Sequence, residues 1–451
     1  MTDPGMAQSG AAHSGAGSGV AESGVAESGV VGWRCAVCSA TVDIAEPLVF
    51  RCPNWTIDDP YHALRIVQHD APVRAVAADP NPFIAFRPHF AWDSFAAAHG
   101  LSAHEREALV RSVDSDVTRV AGTGFEVTPF ARADTLSTAL GFTTDGGVWI
   151  KDETHQVAGS HKARHLMSAL LHLLAAERVG ATPWTPAARP NLAIASCGNA
   201  ALAAATLAAA AGWSIEVFVP PSASASVLAE LNRLGAWTVT CPRLDTDPPG
   251  DPCVHRYREA VAAGSIPFGV QGPENAWCLD GGRTIGWEMS AARPDHLFVQ
   301  VGGGALARCT IGAMAQIGAL PKVHAVQTEA CAPLARAWKR AIQGEGGIAT
   351  APARWAECMT PWENVGRSAA DGILDDETYD WIGVINGIHS SHGAPVIAKE
   401  VEIVRANELA RELTDINVSH TGSAGLAGLL AIRDVISNHE RVALIFSGIH
   451  R

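Results

Sequence analysis

Basic residues are scarce in this chain. Its 33 Lys and Arg stand against 46 Asp and Glu, a formal net charge of −13. That deficit argues against nucleic acid or an anionic membrane surface as a partner. Long apolar runs are missing too. The richest, Ala201–Ala211, is mostly alanine and is bracketed by Gly198 and Gly212, so no segment is expected to span a bilayer. The first residues lack a basic stretch followed by an apolar core, so no secretory signal is expected. A dense disulfide framework is absent as well. Ten cysteines are spread over 451 residues, and those after Cys52 stand singly, which fits a reducing, cytoplasmic setting.

What is present is ample material for a core. The chain is 47% hydrophobic and 18% charged, as in a soluble globular enzyme, and its length predicts more than one domain. Residues 1–31 are rich in Gly, Ser and Ala, and repeat Val-Ala-Glu-Ser-Gly at Val20 and Val25. Such a tract buries too little surface to offset its ordering entropy and reads as a disordered tail. A cysteine-bearing segment, 32–62, follows. A helix is expected over Ala103–Val113. From about residue 147 short apolar strands alternate with helices: strands at 191–195, 215–219, 237–240, 297–301, 323–327 and 442–446, and helices at 199–211, 224–234, 255–263, 305–317, 400–413 and 422–436. This pattern predicts an α/β fold with two open, twisted parallel sheets flanked by helices and a cleft between them. The expected division is a large domain of 63–190 with 290–451 and a smaller one of 191–289.

Four segments carry chemistry. In Lys151–Arg164, Lys162 stands where a strand passes into a helix, directly after Gly159-Ser160-His161. An amine there suits a Schiff base with an aldehyde cofactor, beside a helix N-terminus that favours an anion. Alone, the segment fits a surface lysine at a helix start equally well. Ser196-Cys197-Gly198-Asn199 also joins a strand end to a helix start, where ligands of open α/β sheets bind, although an ordinary helix cap reads the same way. Gly302-Gly303-Gly304-Ala305 exposes consecutive amides that suit an anion nest, although a tight strand-to-helix turn is the other reading. It has neither the Gly-x-Gly-x-x-Gly spacing of a dinucleotide site nor the Gly-Lys-Ser/Thr of a P-loop. Ser447-Gly448 ends the final strand, where a hydroxyl could meet a ring nitrogen and leave it largely unprotonated, although alone it reads more simply as a strand ending in a polar turn.

In order and character these segments resemble the β-family of pyridoxal-phosphate enzymes, fold type II, which includes threonine synthase, threonine and serine dehydratases, cysteine synthase and the tryptophan synthase β-subunit. The family motifs Gly-Ser-Phe/His-Lys, Ser-x-Gly-Asn, a glycine run and a terminal Ser/Thr-Gly appear here as Gly159–Lys162, Ser196–Asn199, Gly302–Gly304 and Ser447-Gly448. Asp280–Glu288, Ala369–Ile373 and Gly422–Gly428 are further similar stretches. The resemblance implies pyridoxal 5′-phosphate in the cleft, with Lys162 as anchor and as acid/base at the substrate Cα. It implies Asn199 at the 3′-oxygen, Gly302, Gly303, Gly304 and Ala305 at the phosphate with His161 nearby, and Ser447 at the ring nitrogen, with Thr421 or Ser423 as rivals. Ser196 and Cys197 would hold the substrate carboxylate. A homodimer acting on a small amino acid is implied as well.

Cys35-x2-Cys38 is half of a zinc-ribbon pattern, and Cys52 is a candidate third ligand. Trp55 stands where a fourth cysteine belongs, and His62 is the nearest residue able to complete the site. Some threonine synthase-like relatives carry such a ribbon, so structural zinc is one expectation and a metal-free ribbon the other.

The ribbon and Asp280–Glu288 lean toward a threonine synthase-like activity, O-phosphohomoserine to threonine. Departures exist. The family's Ser-Phe-Lys-Asp-Arg-Gly is Ser160-His161-Lys162-Ala163-Arg164-His165 here, and Thr-Gly-His-Gly-Leu-Lys is replaced by Ser447-Gly448-Ile449-His450-Arg451. The alternative is a threonine/serine ammonia-lyase, which Ala370-Asp371-Gly372 resembles. A non-catalytic binding protein of the same fold is the third reading, disfavoured by the intact Lys162 and Asn199.

Overall fold

The computed structural model describes residue 1 and residues 29–69, 73–75, 77–248 and 250–451. Most of the expected tail lies outside the described residues. Its expected end is corrected, because β1 (Val30–Cys35) already begins at Val30. With β2 (Thr41–Asp43) and β3 (Leu64–Gln68) it forms a three-stranded antiparallel sheet in the order β2-β1-β3. The cysteine-bearing unit therefore runs six residues past the expected boundary at 62, to Gln68.

A six-stranded sheet contains β4 (Phe130–Arg132), β5 (Gly147–Asp152), β10 (His296–Gln300), β11 (Lys322–Thr328), β12 (Ala394–Ala398) and β13 (Arg441–Phe446), ordered β12-β11-β10-β13-β5-β4. Only the β4–β5 pair is antiparallel. A four-stranded, wholly parallel sheet is built from β6 (Leu192–Ala195), β7 (Ile215–Val219), β8 (Trp237–Thr240) and β9 (Ile266–Pro267), ordered β8-β7-β6-β9. β12 was not foreseen. It contains Pro395, which lacks the donor a central strand needs, and β12 is an edge strand, where that loss is tolerated.

Helix limits follow local chemistry. The helix expected at 103–113 runs Ala103–Ala121, because Ser102 and Glu105 form a capping box and nothing breaks it before Gly122, whose φ is 77°. Asp251 caps Cys253, so the next helix begins at Pro252, before the expected 255. The Ser419 hydroxyl accepts from the Gly422 amide and starts another at His420. That helix ends at Ala431, short of the expected 436, and a 3-10 turn, Arg433–Val435, follows.

The Lys162–Arg178 helix is buried on nearly all sides. Leu166, Met167, Leu170, Leu171 and Leu173 are inside, but so are Arg164, His165, Ser168 and His172. Its neighbour, Asn199–Ala210, has eleven apolar or small side chains after Asn199, nine of them buried, and only Leu202 and Leu207 are large. Small side chains let the two helices pack closely.

Candidate active site

The turn into the Lys162 helix is unusual backbone. Ala158 and Gly159 both have positive φ, 54° and 66°. Two strand-like contacts hold it against the end of the chain. The His161 amide donates to the Ser447 carbonyl (3.1 Å), and the Ile449 amide donates to the Gly159 carbonyl (2.9 Å). Ser160 and Gly448 form an isolated antiparallel bridge. The Ser160 hydroxyl is fully buried without a hydrogen-bond partner, and the helix has no side-chain cap. Lys162 is half-buried. Its ammonium is pushed down by desolvation, and Asp375, Asp380 and two cysteine sulfurs oppose that shift.

Beside it, Asn199 opens its helix without capping it. Its Nδ2 lies 2.8 Å from where a Cβ on Gly448 would stand, and its Oδ1 accepts from Arg451. Ser196 is half-buried and Cys197 exposed. The Cys197 thiol is pushed up by local desolvation and by the carboxylates of Asp251, Asp371 and Asp375.

Gly302, Gly303 and Gly304 lie beneath the 373–380 segment. A Cβ on Gly302 would stand 2.2 Å from Asp375 Oδ2, and one on Gly303 would stand 3.0 Å from the Tyr379 ring. Gly304 has φ 97° and opens the Ala305–Gln316 helix. Only glycine suits this crowded, left-handed turn. The Gly303 amide donates to Asp375, a carboxylate on an amide nest suited to phosphate oxygens. Burial pushes the Asp375 carboxyl up to about 6, against the pull of Lys162.

Ser447 follows β13, beside the end of β10. Its Oγ accepts from Gln300 Nε2 at 2.7 Å, which leaves the hydroxyl proton available to an acceptor such as a pyridine nitrogen. Its rivals are committed elsewhere. Ser423 Oγ accepts from Asn407 (3.0 Å) and donates to the Ser419 carbonyl (3.1 Å), and Thr421 Oγ1 accepts from the Gly372 amide (3.0 Å) and donates to Asp371 Oδ1 (3.5 Å).

His161 faces His165, Nδ1 to Nε2 at 3.3 Å, and His165 Nδ1 bonds the Cys278 carbonyl at 2.9 Å. Only one tautomer serves both bonds. His165 donates from Nδ1, His161 donates from Nδ1, and His161 Nε2 keeps its lone pair. Burial pushes both imidazoles down, His165 to about 3, so both are neutral at physiological pH.

The sequence reading missed the support beneath the lysine. Arg164 binds Glu153 (2.7 Å) and Glu288 (2.6 Å), and Lys151 binds Glu288; all four side chains are buried. Gln300, Asp375 and Arg451 were also missed. The acidic run Asp375-Asp376-Glu377 was the one visible signal for Asp375, and no local motif marked the others.

A cavity of about 580 Å³ adjoins this turn, lined by Gln156, Ala158, Gly159, Leu202 and Arg451 among others. A larger one, about 950 Å³, is lined by none of the predicted site residues. The amine, the unspent Ser160 and Ser447 hydroxyls, the amide of Asn199 and the glycine nest fit an aldehyde cofactor with a phosphate and a ring nitrogen.

An α/β enzyme of fold type II is the class that this fold and site define. The family model described as pyridoxal-phosphate dependent enzyme matches residues 122–448, and the chain belongs to that family. Pyridoxal phosphate is its cofactor. Among solved structures, the fold is similar to that of maize serine racemase (17% identity, TM-score 0.56, covering 76% of this chain and 93% of that one). It is also similar to the processed threonine deaminase isoform 2 of Solanum lycopersicum (19%, 0.56, 78% and 92%) and to an L-serine ammonia-lyase of the fungus Rhizomucor miehei (18%, 0.54, 72% and 94%). No curated protein matches the chain. No described helix is long and apolar enough to cross a membrane.

Proposed function

We propose that this enzyme is an amino-acid ammonia-lyase that removes the β-hydroxyl of serine or threonine. The observation carrying this reading is the charge around Cys197. Asp251, Asp371 and Asp375 all act on its thiol, and Asp251 also raises Asp376. A phosphorylated leaving group would bring a second dianion, beyond the cofactor phosphate that the glycine amides offset, against these carboxylates, whereas a hydroxyl brings no charge. This favours the ammonia-lyase over the threonine synthase-like reading. The names of the fungal and tomato neighbours agree with it.

Lys162, Asn199, Gly302–Ala305 and Ser447 would hold pyridoxal phosphate, which supplies an electron sink for charge developing at the amino-acid Cα. Burial pushes the Lys162 ammonium down, which favours the neutral amine that would take the Cα proton at Nζ. The Ser447 hydroxyl is a neutral partner for a ring nitrogen. Ser196 and the amides of its turn would orient the substrate carboxylate. The β-hydroxyl leaves as water, and hydrolysis of the released enamine gives a keto acid and ammonia.

Purified protein is expected to show a visible absorption band that borohydride or Lys162→Ala removes. L-serine and L-threonine are expected to yield keto acid. Phosphate release from O-phosphohomoserine without keto acid from either amino acid would reject the lyase reading and restore the synthase one. A colourless protein that ignores added pyridoxal phosphate would reject both.

A further inference from the structure

Far along the chain from Lys162, four side chains converge. The sulfurs of Cys35, Cys38 and Cys52 and one ring nitrogen of His62 lie within 4.8 Å of one another. Cys35 Sγ is 3.4 Å from His62 Nδ1, and Cys38 Sγ is 3.5 Å from Cys52 Sγ. Four ligands around one zinc ion, with bonds of about 2.0–2.3 Å, stand about 3.5–3.8 Å apart in a tetrahedron. The spacing is thus that of a site, and the two sulfurs are well beyond the ~2.05 Å of a disulfide.

Two further observations point the same way. The other His62 nitrogen, Nε2, faces Asp59 Oδ2 at 3.3 Å. A carboxylate there holds the proton on Nε2 and turns the Nδ1 lone pair toward the sulfurs, the arrangement found behind metal-bound histidines. N–H donors also aim at sulfur: the Val37 amide at Cys35 and Asn54 Nδ2 at Cys38, each 3.4 Å away. Such donors stabilise thiolates.

We infer that Cys35, Cys38, Cys52 and His62 bind one structural Zn(II), with Asp59 orienting the histidine. The metal joins the end of β1, the loop carrying Cys52 and the approach to β3. From that loop the Phe50 carbonyl accepts from the Ala276 amide (2.9 Å), and Arg51 pairs with Glu274. Trp33 meets Trp277 edge to face with ring centroids 5.0 Å apart. The Trp277 carbonyl in turn accepts from Ser168, and the Cys278 carbonyl bonds His165, both on the Lys162 helix. The ion therefore braces the 274–278 segment that supports that helix and takes no part in the chemistry. The inference is independent of the proposed reaction.

The test uses the full chain, purified under reducing conditions and dialysed against metal-free buffer. Elemental analysis is expected to find one zinc per chain. Co(II) exchanged into the protein should give intense tetrahedral visible bands with thiolate charge transfer. Asp59→Asn keeps all four ligands and should weaken zinc binding about tenfold in a chelator competition. Cys38→Ser, which alters an exposed cysteine, should lower the thiolate charge-transfer intensity by about a third, since two of three sulfur ligands remain. Protein that holds no zinc and takes up neither Zn(II) nor Co(II) overturns the inference. So does a Cys38–Cys52 disulfide in the reduced preparation, or a cobalt spectrum unchanged in Cys38→Ser.

Discussion

Arg164 Nε donates to Glu153 Oε2 at 2.7 Å, with both side chains wholly buried. The guanidinium stands two residues beyond Lys162 and also bonds Glu288, Thr284 and Thr128. The first turn of the lysine's helix is thereby tied to the strand before it and to the Arg283–Met289 helix. Two cations and two anions share this pocket, which makes it neutral as a set and costly to break in part.

Arg164→Met is therefore expected to destabilise the protein by about 3–5 kcal/mol, because Glu153 and Glu288 are left buried with one cation between them. Thermal unfolding of the two proteins checks this. A melting temperature within a degree of wild type would show that the network carries no stability.

Asp375 predicts a pH effect. Its folded value, about 6, lies above the ordinary carboxylate value of 3.8 because burial disfavours the ion. The native state binds more protons between these values, so this group's contribution to stability falls as pH rises through that window and stays low above it. Asp375→Asn is expected to raise the melting temperature at pH 7.5 and to raise it less at pH 5. The same variant removes a carboxylate from the Gly303 amide. Its advantage over wild type in binding pyridoxal phosphate, followed by absorbance titration, should widen as pH rises through about 6.

Gly304→Ala places a Cβ on a backbone of φ 97°, 3.0 Å from Thr378 and 3.2 Å from Asp380. The strain alone costs about 1–2 kcal/mol, and the amides of the nest are displaced with it. Cofactor affinity should fall about tenfold or more in equilibrium dialysis, with the Lys162 helix still folded by circular dichroism.

For Ser447 the informative change is to aspartate. A carboxylate would hold the ring nitrogen protonated, whereas the hydroxyl does not. Ser447→Asp should retain the visible band and lose at least about tenfold in keto-acid formation, while Ser447→Ala should lose less. Equal rates for the aspartate variant and wild type would place the ring nitrogen elsewhere.

The sequence made the alternating strands and helices legible because each buried strand is a short apolar run and several helices begin at a capping residue (Ser102, Ser224, Asp251, Ser419) or a glycine (Gly198, Gly304). Lys162, Asn199 and Gly302–Gly304 stood out for a related reason: all stand at strand-to-helix joins. Arg164, Glu153 and Glu288 were not. Their pairing spans 135 positions from Glu153 to Glu288, and nothing local distinguishes a buried charge from a solvated one. Asp375 failed likewise, since its meaning lies in the glycine loop that it covers. β12 was hidden by its proline.

The bridge between Ser160 and Gly448 has a consequence for synthesis. The turn that presents the lysine leaves the ribosome long before the strand that pins it. Until Ser447–Ile449 emerge, that turn has no partner for the Gly159 carbonyl or the His161 amide. Docking of the segment after β13 is thus expected to order the turn that presents the lysine.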